Sequence, residues 1–281
     1  MGDSLASPLA AVVLAAGAGT RLRPLTRRRP KALCPVGNVP LVDLAIARAA
    51  AVVAPEAIAV NVHHGRAAIE AHLASSPVHL SIEEAQALGT AGAIGHLRPW
   101  LDGRPALILN ADAWCHPDLG ALLDGWDGRH VRILVPGDAP FGPRSGIVAS
   151  LLPAAAAAHL DAVPSGLWEV CWRDRLAAGE VETVAHHGPF VDCGTPAQYL
   201  DANLQAVALA GASIVDPTAA VDPRMATDPV LDPVTDSVVG AGAHVAGTVR
   251  ATVLWPGAEV RPAEHLDHAV RTDDGTTVLI R

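Results

Sequence analysis

Aromatic side chains are scarce in this chain of 281 residues: six Trp, two Phe and one Tyr, 3% of the total. The core must therefore be built from Ala, Val and Leu, and the stacking platforms that hold single-stranded nucleic acid are disfavoured. Positive charge is also in deficit. Twenty Lys and Arg stand against 29 Asp and Glu, a formal net charge of -9, which argues against a nucleic-acid partner needing a basic face. Lysine itself occurs once, as Lys31. The four cysteines, Cys34, Cys115, Cys171 and Cys193, are dispersed without a CxxC pair, so a thiolate zinc site is disfavoured. No long apolar run exists. The longest uncharged stretch, Ser4 to Thr20, is broken by Pro8, Gly17 and Gly19 and makes a poor membrane span. No secretory signal pattern opens the chain, and the expectation is a cytoplasmic protein with reduced thiols and no membrane partner.

What is present reads as globular: 50% hydrophobic and 17% charged, in a length that suits one large domain or one domain with a small appendage. Short apolar runs bounded by turn residues alternate with helical stretches. Strands are predicted at Ala10–Ala15, Ala57–Val62, Val78–Ile82, Ala106–Leu109, Val131–Val135 and Ser145–Leu151. Helices are predicted at Pro40–Val53, Ala67–Ala74, Ala91–Leu97, Ala154–His159, Gly166–Leu176 and Tyr199–Ala210. This alternation implies an α/β, Rossmann-like, mixed but mostly parallel sheet, with ligands at the carboxyl ends of its strands. After Gly211 the periodicity changes. Val215 and Val221, Val239 and Val245, and Leu254 and Val260 are each six apart, a hexad that suggests the flat sides of a left-handed β-helix-like region or, failing that, an irregular β-rich tail. The expected domains are 1–210 and 211–281.

A glycine-rich loop follows the first strand: Leu14 to Lys31 read LAAGAGTRLRPLTRRRPK. Leu22 stands where a Rossmann fingerprint needs its third glycine, and no GK[ST] follows for a Walker A loop. Glycine backbone can still bring N–H groups up to phosphate oxygens, Arg21 offers a bidentate fork and Lys31 a compact point charge. Arg21, Arg23, Arg27, Arg28, Arg29 and Lys31 crowd eleven residues of an otherwise acidic chain. The bland alternative is a turn followed by a solvated basic stretch.

The pattern GxGTRLxPLTxxxPK, followed by GNxPL at Gly37 to Leu41, resembles the signature of the nucleotide-sugar pyrophosphorylases, or sugar-1-phosphate nucleotidylyltransferases. LGTAGA at Leu88 to Ala93, LNAD at Leu109 to Asp112 and FVDCGTPAQYL at Phe190 to Leu200 match in the same order. The branch most resembled is the mannose-1-phosphate guanylyltransferases, whose members often carry a C-terminal hexapeptide domain. The resemblance implies a GT-A-like nucleotidyltransferase fold and a reaction in which a sugar 1-phosphate attacks the α-phosphorus of a nucleoside triphosphate, GTP and mannose 1-phosphate being favoured. Such a reaction needs alignment and charge neutralisation rather than a nucleophilic triad.

Carried onto this chain, the resemblance implies that Arg21 and Lys31 are catalytic. Ala15, Ala16, Gly17, Gly19, Thr20, Glu84, Gly89 and Thr90 would bind the nucleotide, with Glu84 at the base edge. Asp112 and Asp192 would hold Mg²⁺, a hard cation served by one or two carboxylates plus phosphates. Asn110 would face the sugar phosphate. One family feature is missing: no EKP motif, whose lysine grips the sugar phosphate, lies between the LNAD and DCGTP segments. Arg144 beside Gly146, and Glu169, are the substitute candidates. His63–His64 and His186–His187 read as polar rim or structural pairs, and Cys193 as packing. Three alternatives stay open: an active transferase with a trimmed acceptor site, including one using UTP or dTTP; a non-catalytic nucleotide-binding regulatory subunit; or a structural oligomerisation subunit, since a β-helix end offers a surface for a homo-oligomer.

Overall fold

Runs such as AAVVL and IAVNV cannot satisfy their own backbone groups, and they do so by lying side by side. The computed structural model describes residues 8–222 and 233–281. Positions 4–7 of the long uncharged run and 223–232 of the C-terminal segment therefore lie outside the described residues. Seven strands form the main sheet: β1 (Ala10–Leu14), β2 (Ile58–Val62), β3 (His79–Ile82), β4 (Ala106–Asn110), β5 (Val131–Pro136), β6 (Ala149–Leu152) and β7 (Val181–His186). Their order is β7-β5-β6-β4-β1-β2-β3. Every neighbouring pair is parallel except those of β6, which runs antiparallel to both β4 and β5. Val12 and Val13, on opposite faces of β1, are both fully buried, as a sheet covered on both sides requires. The covering helices include α1 (Leu41–Ala50), α2 (Arg66–Leu73) and α3 (Gly89–Leu101). The α/β, mostly parallel architecture is the expected one.

Differences from the expected elements are local. The strand expected from Ser145 begins only at Ala149. Gly142 N–H donates to the Ser145 hydroxyl (2.9 Å) and Ser145 N–H to the Gly142 carbonyl (3.1 Å), which folds this stretch into a turn. The Gly166–Leu176 helix is a π-helical turn (Trp168–Trp172) continued by a short α-helix (Arg173–Ala177).

The chain falls into two compact units: residues up to 18 with 30–32 and 42–190, and residues 19–29 and 33–41 with 191–281. The second unit contains α4 (Pro196–Ala210), which Thr195 caps by accepting from Gln198 N–H (3.3 Å) and Gly211 ends in a left-handed conformation. Beyond it, short strands build three sheets whose neighbours are parallel apart from a terminal hairpin. Val234 pairs with Val249, Val238 with Val253 and His244 with Glu259, so the chain returns to the same face every fifteen residues there, as in a β-helix. Val239, Val245, Leu254 and Val260 of the expected hexads fill its interior. Val215, on the first strand of its sheet, is 40% exposed because no earlier coil covers it. Among the described residues no helix is long and apolar enough to cross a membrane.

Candidate functional site

Parallel register brings the carboxyl ends of three strands together: Leu14 of β1 lies between Asn61 of β2 and Asn110 of β4. These residues open onto a cavity of about 190 Å³ that Ala16, Gly17, Gly89, Thr90 and Asp112 also line. It is small beside the roughly 300–1,000 Å³ typical of sites for drug-sized ligands. Six of the residues expected from sequence (Ala16, Gly17, Gly89, Thr90, Asn110 and Asp112) thus share one wall. Gly17 borders open space; a Cβ placed there would meet nothing within 4 Å. Gly89 has φ of +71° and begins α3 against the 161–165 segment, where a Cβ would come within 2.6 Å of the Ser165 carbonyl oxygen. The Thr90 hydroxyl accepts from Leu167 N–H (2.8 Å), which fixes the same segment over the start of the helix.

Lys31 is 7% exposed and donates from Nζ to Asp112 Oδ2 at 2.8 Å. The carboxylate of Asp112 is 44% exposed, so it faces the cavity while holding the lysine. Its turn is fastened by Arg48 of α1, whose guanidinium donates to the carbonyls of Asn110, Ala113 and Cys115 at 3.2–3.4 Å. Sequence reasoning missed Arg48: its partners lie more than sixty residues away and leave no local spacing to read.

Gly19, Thr20, Arg21 and Asp192 belong to the second unit. Thr20 to Leu22 form a short 3-10 turn, preceded by Gly19, whose carbonyl accepts from the Thr26 hydroxyl (2.7 Å). Arg21 reaches Asp192 at 3.8 Å, and both side chains are open to solvent, 71% and 43% exposed. Each expected catalytic cation is therefore paired with one expected metal carboxylate. The rest of the basic stretch is used differently. Arg29 lies over the Trp255 ring, 4.6 Å from its centroid, and Arg28 faces Asp274 at 3.6 Å.

Glu84 stands on the surface, 81% exposed, and meets Arg66 at 3.5 Å. Its neighbour Glu83 is the buried carboxylate, accepting from Asn61 Nδ2 and from Leu88 N–H, both at 2.7 Å. Asn61 and Glu83 also escaped the sequence reading. His63 Nδ1 contacts the Glu83 carbonyl (2.5 Å) and His64 Nδ1 the Ala16 carbonyl (3.0 Å), so this pair braces the loops bordering the cavity. His186 is buried and its Nε2 meets the Pro189 carbonyl at 3.2 Å, while His187 is exposed near Asp138.

Of the acceptor candidates, Asn110 contacts the Ile147 carbonyl at 3.5 Å, and Gly146 lies against the Phe190 ring and Pro136. Arg144 is exposed in the 142–145 turn. Glu169 folds back over Gly166. Phe141, Trp168 and Trp172 form an edge-to-face cluster nearby, with centroids 5.5 and 5.8 Å apart. All four thiols are buried, and burial pushes those of Cys115 and Cys171 up, away from the thiolate a nucleophile needs.

Residues 10–135 match the nucleotidyl transferase family model. The chain is 39% identical over 138 residues to N-acetylmuramate alpha-1-phosphate uridylyltransferase of Caulobacter vibrioides, covering 45% of this chain and 57% of that protein. It is 36% identical over 118 residues to mannose-1-phosphate guanylyltransferase of Mycobacterium tuberculosis, covering 41% of this chain and 33% of that one. It is 42% identical over 123 residues to bifunctional protein GlmU of Alkalilimnicola ehrlichii, covering 43% and 26%. The matches thus span little more than half of these relatives' lengths at most. Among solved structures, a putative glucose-1-phosphate thymidylyltransferase from Bacillus anthracis, in complex with a sucrose, superposes with a TM-score of 0.59 at 16% identity, over 71% of this chain and 95% of that one. HddC from Yersinia pseudotuberculosis, complexed with GMP-PN, gives 0.55 at 18% identity over 70% and 98%. Both show a shared fold.

Proposed function

We propose that the chain, whose residues 10–135 match the nucleotidyl transferase family model, joins a nucleoside triphosphate to a sugar 1-phosphate, giving a nucleoside-diphosphate sugar and pyrophosphate. The observation that carries this reading is the buried Lys31 held on Asp112 beside the cavity framed by Gly17 and Gly89. A sugar phosphate oxygen forms a bond to the α-phosphorus, and the bond from that phosphorus to the bridging oxygen breaks. The electron pair leaves with pyrophosphate. The attacking oxygen is already anionic, so the protein's part is alignment and charge neutralisation. Lys31 and Arg21 serve the charge on the α-phosphate and the departing pyrophosphate, and the Ala15–Thr20 backbone follows the triphosphate.

Family members generally use a divalent metal, and Mg²⁺ is the proposed one. The donor set suits it: Asp112 and Asp192 offer carboxylate oxygens with 44% and 43% of their side chains exposed. When bound, Mg²⁺ supplies further neutralisation of the triphosphate.

GTP and mannose 1-phosphate are the finer proposal, with Glu84 at the base edge and Asn110, Arg144, Gly146 and Glu169 toward the sugar phosphate. The uridylyltransferase relative favours a second reading, UTP with an N-acetylated sugar phosphate. We place the domain boundary after residue 210, with residues 211–281 as a hexapeptide-type region suited to homo-oligomer contacts, and the enzyme in the cytoplasm. The test is pyrophosphate release with Mg²⁺, pairing GTP, UTP, dTTP, ATP and CTP with mannose, glucose and N-acetylmuramate 1-phosphates. Release that needs both substrates, and that Arg21→Ala and Asp112→Asn abolish, is the expected result. Silence across the panel, alongside a nucleotide-induced rise in Tm, returns the protein to a binding or regulatory role.

A further inference from the structure

Two buried polar side chains take no part in that chemistry. Asn61, which lines the cavity, is 3% exposed, and Glu83 is 2% exposed. They are joined in a chain of directed hydrogen bonds. Ala15 N–H donates to Asn61 Oδ1 at 2.7 Å. Asn61 Nδ2 donates to Glu83 Oε1 at 2.7 Å, and Leu88 N–H donates to Glu83 Oε2 at 2.7 Å. A buried carboxylate is costly unless its oxygens are satisfied, and here neutral donors meet both. The Ala15 end of the chain leads directly into Ala16 and Gly17, and the Leu88 end into Gly89 and Thr90. Those four residues line the cavity.

We infer that Asn61 and Glu83 are positioning residues that hold the Ala15–Gly17 backbone and the Leu88–Thr90 turn at a set separation, and thereby select which nucleobase the cavity admits. This rests on the nucleotidyl-transfer reading, with the cavity taking the base end of the triphosphate. Neither side chain needs to touch the base. A purine and a pyrimidine differ by a whole ring, so the separation of the two backbone segments bears on which of them the cavity admits.

The donor and acceptor order makes the inference testable by inversion. Glu83→Gln sets an amide N–H₂ against one of two donors, Asn61 Nδ2 or Leu88 N–H. Asn61→Asp sets one carboxylate against another. Asn61→Asp combined with Glu83→Gln restores every pair: the new carboxylate at 61 accepts from Ala15 N–H and from the new amide at 83, whose oxygen accepts from Leu88 N–H. Calorimetric titration with GTP and with UTP, without sugar phosphate, needs no turnover. Each single variant is expected to weaken the preferred nucleotide about tenfold, or ~1.4 kcal/mol, and to shrink the GTP-to-UTP ratio. The double variant is expected to recover both to within about threefold of the wild type, below the ~1.4 kcal/mol of a tenfold change. A Glu83→Gln variant with wild-type affinity and ratio overturns the inference. So does a folded double variant as weak as the singles, or one that recovers Tm without the ratio. Should a single variant fail to fold, the double variant decides alone. Wild-type protein that binds nucleotide but releases no pyrophosphate with any sugar phosphate overturns the transferase reading instead, and the same titrations still judge the relay.

Discussion

Lys31 is the chain's one lysine among twenty basic residues, and its surroundings give a reason. Its ammonium is buried, 7% exposed, and ends 2.8 Å from Asp112. A guanidinium is wider and planar and carries five donors to satisfy, so charge alone does not qualify arginine for the place. Arg21 sits in the opposite situation, 71% exposed and 3.8 Å from Asp192. Under the proposed reaction, Lys31→Arg is therefore expected to lower kcat for pyrophosphate release on the order of 100-fold, the scale of a misplaced aligned group. Arg21→Lys is expected to cost roughly tenfold or less, since an exposed side chain can reach its partner anew. Steady-state kinetics with saturating Mg²⁺ compares the two. Equal losses, or a larger loss at Arg21, reject burial as the distinguishing cause. Lys31 and Asp112 were both legible as residues, because the long loop signature and LNAD carry them. Asn61, Glu83 and Arg48 were not, because each works through partners far away in sequence. Glu83 was hidden further by its strand. Leu80 and Ile82 look like the core face, yet on this edge strand they are only half-buried and Ser81 and Glu83 are the buried positions.

At the scale of elements, α3 is defined by a face of glycines. Gly92 and Gly95 lie under the 161–163 segment, where an added Cβ would stand 2.2 Å from the Val163 carbonyl oxygen and 2.3 Å from the Asp161 carbonyl carbon. Two effects of Gly92→Ala oppose each other. Helix propensity favours alanine by about 1 kcal/mol, and overpacking against backbone costs about 1–3 kcal/mol. The clash is with main chain that also bonds Ala91 N–H through Ser165, so it cannot swing aside as a flexible side chain would. Net destabilisation of up to about 2 kcal/mol is expected in urea unfolding. Gly142→Ala, with open space around its site, should stay within about 0.5 kcal/mol. A stabilised Gly92→Ala protein would show that the 161–165 segment is not held against the helix. Most strands and helices were legible because apolar runs and glycine or proline stops mark them locally. The turn at 142–145 and strand β7 were not: one depends on a side-chain hydroxyl bond, the other is a half-buried edge strand whose partner β5 lies some fifty residues earlier.

At the scale of the whole molecule, the glycine-rich loop is not built by the family-matched segment alone. Residues 19–29 and 33–41 are compact with 191–281, although the family match runs from 10 to 135. Arg29 covers Trp255, Asn38 Nδ2 donates to the Val239 carbonyl at 2.9 Å, and Gly37 N–H donates to Asn203 Oδ1 at 3.0 Å. Trp255 Nε1–H in turn donates to the buried Tyr199 hydroxyl at 3.0 Å, and that hydroxyl donates to the Pro35 carbonyl. The hexads suggested a β-helix, but nothing in their spacing could disclose that its residues grip the loop carrying Arg21. Ending the chain after Gly211 would remove Trp255, Val239 and Asp274 together. If those contacts hold the loop, the truncated protein should lose pyrophosphate release by about 100-fold or more, since small displacements of aligned groups cost that much. Trp255→Phe is the narrower probe. It keeps a ring under Arg29 but removes the donor to Tyr199, so a modest fall in Tm and a larger fall in kcat/KM for nucleotide are expected. A truncated protein with wild-type turnover would mean that the loop takes its working shape without the β-helix, and the C-terminal region would then be free to serve oligomer contacts alone.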